Sequence, residues 1–172
     1  EGYIEFPPHQ DEHSPLSCVQ DVPYVMLMRT FSKLYGLAGL RLGYAIMPPW
    51  LAEHMHRVKL PFSVNLLAEA AGVAALEDDD FVQASRETVL TGRAFLTQEL
   101  QGLGWRVYPS QANFLLCKPK APAEDVVQAL LRQGYIIRPL RSYNLPDHVR
   151  ISVGTERENQ GLIQACHAFQ ND

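Results

Sequence analysis

The chain has 172 residues, enough for one domain of ordinary size or two small ones, and its 47% hydrophobic and 20% charged composition excludes a disordered tract. With 15 basic against 19 acidic residues and a net charge of −4, it carries no electrostatic footprint for nucleic acid. No apolar run approaches the roughly 18 residues of a membrane span.

Glu1-Gly2-Tyr3-Ile4-Glu5-Phe6 reads as the end of a strand already under way, and with no leader ahead of it the chain is expected to be part of a longer one. Tyr24 to Thr30 and Gly43 to Met47 are apolar runs of strand length without clean alternation, as in strands buried on two faces. A loop rich in Ser and Gly, Phe31 to Gly39, separates them. Pro48-Pro49 opens a short helix from Trp50 to Val58, where proline fits the first turn. Ser63 to Leu76 is alanine-rich and apolar nearly all round, which predicts a buried helix. Asp78-Asp79-Asp80 then favours the dipole of a long amphipathic helix, about Phe81 to Leu103, stopped by Gly102 and Gly104.

After that helix the rhythm changes. Trp105 to Tyr108 and Asn113 to Cys117 are predicted strands around a Pro-Ser-Gln turn. Ala123 to Gln133 is a helix ended by Gly134, and Tyr135 to Arg138 and His148 to Val153 are further strands. Thr155 caps a last helix to about Phe169, with Glu158 at capping-box spacing. These features predict an α/β chain divided near residues 80–90, with parts 1–85 and 86–172, and no internal repeat is visible. Three scattered cysteines, Cys18, Cys117 and Cys166, are too few and too odd in number for a disulfide framework, so a reducing cytoplasmic setting is expected.

Chemistry concentrates at one of the four lysines. Lys59, Lys118 and Lys120 read as solvated charges, but Lys33 follows a strand and sits among small and apolar neighbours from Thr30 to Tyr44. Desolvation there is expected to make its amine a usable nucleophile. Hydroxyls at Thr30 and Ser32 and the guanidinium of Arg41 are suited to gather around a phosphate. A Schiff-base lysine beside a phosphate cradle is what pyridoxal phosphate requires.

The stretch from Thr30 to Tyr44 resembles the cofactor-attachment block of the fold-type I, class II pyridoxal-phosphate-dependent aminotransferases, and is most similar to the histidinol-phosphate aminotransferase family. Four further blocks resemble that family in the same order: Glu1-Gly-Tyr3, Pro61 to Asn65, Ser110 to Phe114 and Val149 to Thr155. The resemblance implies the C-terminal part of a large, mostly parallel-sheet cofactor domain over residues 1–85, then a small α/β domain over 86–172. It implies that Lys33 binds the cofactor and later moves a proton, and that Tyr3 meets the cofactor's phenolic oxygen. Ser32, Arg41 and Thr30 match phosphate ligands. Arg150 matches the arginine that takes the α-carboxylate of glutamate, and Arg138 one that holds the phosphate of histidinol phosphate, with Arg141 close enough to do the same. The implied reaction is amino transfer between glutamate and imidazole-acetol phosphate in histidine biosynthesis, by a cytoplasmic homodimer in the full-length form. An aromatic amino acid aminotransferase, a threonine-phosphate decarboxylase and a non-catalytic fragment remain open alternatives.

Three departures from the family pattern stand out. The residue after the lysine is usually small, and here it is Leu34; Gly2 replaces the usual alanine. The family's aspartate on the pyridine nitrogen would fall one residue before Glu1, and the asparagine, the stacking aromatic and the upstream phosphate loop earlier still. The 172 residues are therefore expected to bear the lysine but only half of the cofactor site, and not to turn over alone. Tyr35 and Tyr44 read as packing residues and Cys117 as a buried, inert thiol. No metal site is expected: prolines around His9 and His13 oppose a helix, and His54 and His56 point to different faces of one.

Overall fold

The apolar stretches on either side of the Ser/Gly loop pair with each other. In the computed structural model, which describes residues 1–7, 14–19 and 21–171, β1 (Leu27–Thr30) and β2 (Gly43–Ile46) form an antiparallel ladder with Leu27 opposite Ile46 and Arg29 opposite Tyr44. Two compact units divide the chain, Glu1–Arg86 and Glu87–Asp172.

In the first unit, Glu1 to Phe6 is not a strand. Phe6 N–H donates to Tyr3 O at 3.2 Å and closes a turn, which leads the Phe6 ring into the core. Helix α1 (Pro49–Val58) starts on two prolines as expected. Helix α2 (Leu66–Glu77) is capped by Asn65, whose side chain accepts from Ala68 N at 2.9 Å. The predicted burial of α2 is met only along one line. Ala68 and Gly72 are buried, and a Cβ on Gly72 would meet Leu42 Cδ2 at 2.5 Å, so the Leu42 side chain would have to shift to admit one. Leu66, Leu67, Val73 and Leu76 are exposed. Apolarity predicts that a face wants cover, but the neighbouring elements cover one face alone.

Helix α3 (Asp79–Gly102) begins with its acidic turn, where Asp78 accepts from Phe81 N, and passes through the division between the units. At its end Gly104 takes a φ of +77°, a left-handed conformation that glycine adopts without strain.

The second unit has a four-stranded antiparallel sheet in the order β3-β4-β6-β5, from β3 (Arg106–Val107), β4 (Phe114–Lys118), β5 (Arg138–Leu140) and β6 (Leu145–Ser152). The third of these begins where the predicted strand Tyr135 to Arg138 ends. Helices α4 (Ala123–Arg132) and α5 (Glu156–Asn171) complete the unit. One face of the sheet, with Leu115, Cys117, Val149 and Ile151, packs on Leu96, Leu100, Val126, Leu130, Leu162 and Ile163 to form the core. Every strand pairing among the described residues is antiparallel. The mostly parallel sheet implied by the resemblance is thus not formed by the strands seen here, while the α/β class itself is.

Candidate active site

Lys33 stands in a tight turn just beyond β1. Leu37 N–H donates to Phe31 O at 3.0 Å and Gly36 N–H to Lys33 O at 3.0 Å, winding residues 31–37 into a knot. The knot sends consecutive side chains in opposite directions. Phe31 and Leu34 are buried at 5% and 4% exposure, while Lys33 is exposed. Its expected desolvation is therefore not found. Leu34, the bulky departure from the family pattern, is absorbed by the core.

Tyr3 and Lys33 meet: the lysine Nζ lies 5.6 Å from the centroid of the Tyr3 ring. Thr30 and Ser32 also come together, because Ser32 N–H donates to Thr30 Oγ1 at 3.1 Å and turns the chain after the strand. Gly2 lies beside Thr30, where an added Cβ would touch Thr30 Cγ2 at 3.9 Å. Arg41 takes the left-handed conformation with φ +55° and donates from Nη1 to Ala38 O at 2.8 Å, which folds its exposed guanidinium back along its own turn. A cleft of about 770 Å³ lies in the same unit, lined in part by Met28, Arg29, Tyr44, Met47 and Met55. Lys33 is not in its lining, so the cleft marks an open apolar sheet face and not the lysine's surroundings.

In the second unit, Arg138 of β5 and Arg150 of β6 stand directly opposite each other in the ladder. Strand alternation places Val149 and Ile151 in the core and sends His148, Arg150 and Ser152 to the other face. The Arg150 guanidinium lies over the Phe114 ring at 5.1 Å, and its buried Nε has no hydrogen-bond partner among the described residues. Arg138 donates from Nη2 to the Tyr143 hydroxyl at 3.1 Å. Two like charges thus stand in register on one face of the sheet. Arg141 lies in a separate short 3-10 turn after β5.

Two groups, one in each unit, were not singled out from sequence. His148 shares the Arg150 face, with Nε2 3.1 Å from the Tyr108 hydroxyl and a buried Nδ1 lacking a partner among the described residues. Period-2 alternation along β6 is the signal that would have found it. Glu5 is buried, and burial raises its carboxyl above the ordinary range, against its own backbone hydrogen bond and the charge of Arg29. Nothing in sequence reasoning distinguished it from a surface glutamate. Tyr35 and Tyr44 pack on Phe31 at 5.0 and 5.9 Å between ring centroids, as packing residues do. His9 and His13 lie outside the described residues.

The fold is that of the fold-type I aminotransferases, and the chain belongs to the aminotransferase class I and II family, whose model matches residues 1–166. The histidinol-phosphate aminotransferase of Nitratidesulfovibrio vulgaris is 51% identical over 166 residues, covering 96% of this chain and 44% of that protein. That of Symbiobacterium thermophilum is 45% identical over 168 residues, covering 98% and 46%. A solved histidinol-phosphate aminotransferase from Sinorhizobium meliloti, in complex with pyridoxal-5'-phosphate, matches with a TM-score of 0.87 at 28% identity, over 98% of this chain and 48% of that one. The chain thus spans about half the length, or slightly less, of the relatives it matches.

Proposed function

We propose that this chain carries the lysine and the substrate arginines of a pyridoxal-phosphate-dependent histidinol-phosphate aminotransferase. The pairing of Lys33 Nζ with the Tyr3 ring, in a chain of this family, is the observation that carries the reading. The donor set fits the cofactor: an exposed amine, a phenol beside it, two hydroxyls on one turn and a guanidinium. When bound, pyridoxal phosphate supplies an aldehyde and an electron-withdrawing ring that acidifies the substrate's α C–H.

Lys33 would hold the cofactor through Nζ, and the same amine would carry the substrate's α proton. Tyr3 hydrogen-bonds the cofactor's phenolic oxygen. Ser32 and Arg41 hold its phosphate, and Thr30, whose hydroxyl accepts from Ser32 N–H, is the third hydroxyl on that side. Arg150 takes the α-carboxylate of glutamate through its guanidinium, and Arg138 takes the phosphate of the phosphorylated substrate. The co-substrates are glutamate and imidazole-acetol phosphate. Residues 1–85 belong to the large cofactor domain and 86–172 to the small domain, and the full-length form works as a cytoplasmic homodimer.

Borohydride reduction after incubation with pyridoxal phosphate tests the assignment. The stable adduct is expected on Lys33 when the protein is digested and mapped. An adduct confined to Lys59, Lys118 or Lys120 would sink it.

A further inference from the structure

The segment that bears Tyr3 is tied to β1 by one ion pair. Arg29 Nε donates to Glu1 Oε2 at 2.9 Å, and the Glu1 side chain is only 9% exposed. Ser14 Oγ donates to the other carboxylate oxygen at 2.7 Å and accepts from Arg29 Nη2 at 3.4 Å. Burial pulls the Arg29 guanidinium down, but hydrogen bonds to Glu1 and Tyr44 outweigh it and hold it above its ordinary range. At the far end of the segment, the buried Phe6 ring and its turn to Tyr3 O give a second anchor. Tyr3 lies between the two anchors, and Lys33 lies just past the strand that carries Arg29.

We propose that Glu1 and Arg29 are positioning residues that hold the Tyr3 phenol over the Lys33 amine. The role rests on the reading of Lys33 and Tyr3 as the amine and phenol that meet the cofactor. The pair touches neither reacting atom. It ties the segment that bears Tyr3 to the strand that leads into the Lys33 turn.

The test needs no cofactor. Lysines are labelled sparingly with acetic anhydride, and the ratio of Lys33 to Lys59 modification is read by mass spectrometry. Tyr3→Ala sets the value with the ring absent, expected to be about two- to fivefold above the parent, the factor equivalent to one exposed cation–π contact. Arg29→Met should raise the ratio to the same level, Arg29→Lys should restore it in part, and Arg29→Met should add nothing on top of Tyr3→Ala. Glu1→Ala gives the same reading from the other side if Arg29→Met does not fold. A parent-like ratio in Arg29→Met and Glu1→Ala, or an increase that adds to that of Tyr3→Ala, overturns the proposal. Borohydride trapping on the unmodified chain separately decides whether Lys33 is the cofactor lysine.

Discussion

Arg138 and Arg150 stand directly opposite each other in the ladder, and the anion site proposed there has a consequence for stability. Like charges directly opposite in a ladder oppose folding by roughly 0.2–1 kcal/mol, and an anion between them reverses the sign. Arg150→Met removes the opposition while keeping an apolar contact for Phe114. In chloride this variant is expected to unfold at or above the temperature of the parent. In phosphate the parent should gain stability with concentration and the variant should gain much less, as measured by thermal unfolding in matched ionic strength. Equal gains in both proteins would mean that the arginines do not act as one receptor.

Helix α5 tests how a sequence signature translates into energy. Thr155 N–H and hydroxyl both donate to Glu158 Oε2 at 2.8 Å, and Glu158 N–H returns to Thr155 Oγ1 at 3.4 Å, a reciprocal cap. The Thr155 N–H bond, then its hydroxyl, holds the Glu158 carboxyl below its ordinary value of 4.5. A carboxyl lowered in the folded state contributes stability above its unfolded value and loses it as pH falls through the folded one. Denaturant midpoints of the parent and Glu158→Gln should therefore differ at pH 7 and converge as pH falls below 4.5. This cap was readable because it depends on two residues three apart. So were α1, α3 and the strands around residues 27–30 and 43–46, which depend on local apolar runs and turns. Glu1 to Phe6 misled because its spacing mimics a strand, while the Phe6–Tyr3 hydrogen bond makes it a turn. The environment of Lys33 misled for a similar reason: apolar neighbours in sequence turn inward and leave the lysine outside.

Cover is unevenly shared along the chain. Glu87–Asp172 closes one continuous core from three helices and a sheet, whereas Glu1–Arg86 leaves Leu60, Phe62, Leu66 and Leu67 at 75%, 100%, 78% and 74% exposure. Isolated exposed leucines are ordinary, but a run of them on one helix and the loop before it is an adhesive surface. The chain is expected to self-associate with rising concentration, as read by light scattering. Hydrogen exchange should be slowest in β4, β6, α4 and α5 and fast in α1, which buries no residue. The sequence could show that α2 is apolar but not what meets it, because burial is a property of pairs of elements.

The cysteines, unremarked in the chemistry, decide how the protein can be handled. Burial pushes the thiols of Cys117 and Cys166 up to about 12, while Cys18 sits exposed in a short 3-10 turn. Thiolate is the reactive form, so at neutral pH the two core thiols are expected to react with maleimides far more slowly than Cys18, as mass spectrometry of the labelled chain would read. The chain thus comes with a single dye-attachment point, in Glu1–Arg86, and needs no cysteine-free background for fluorescence or spin-label work.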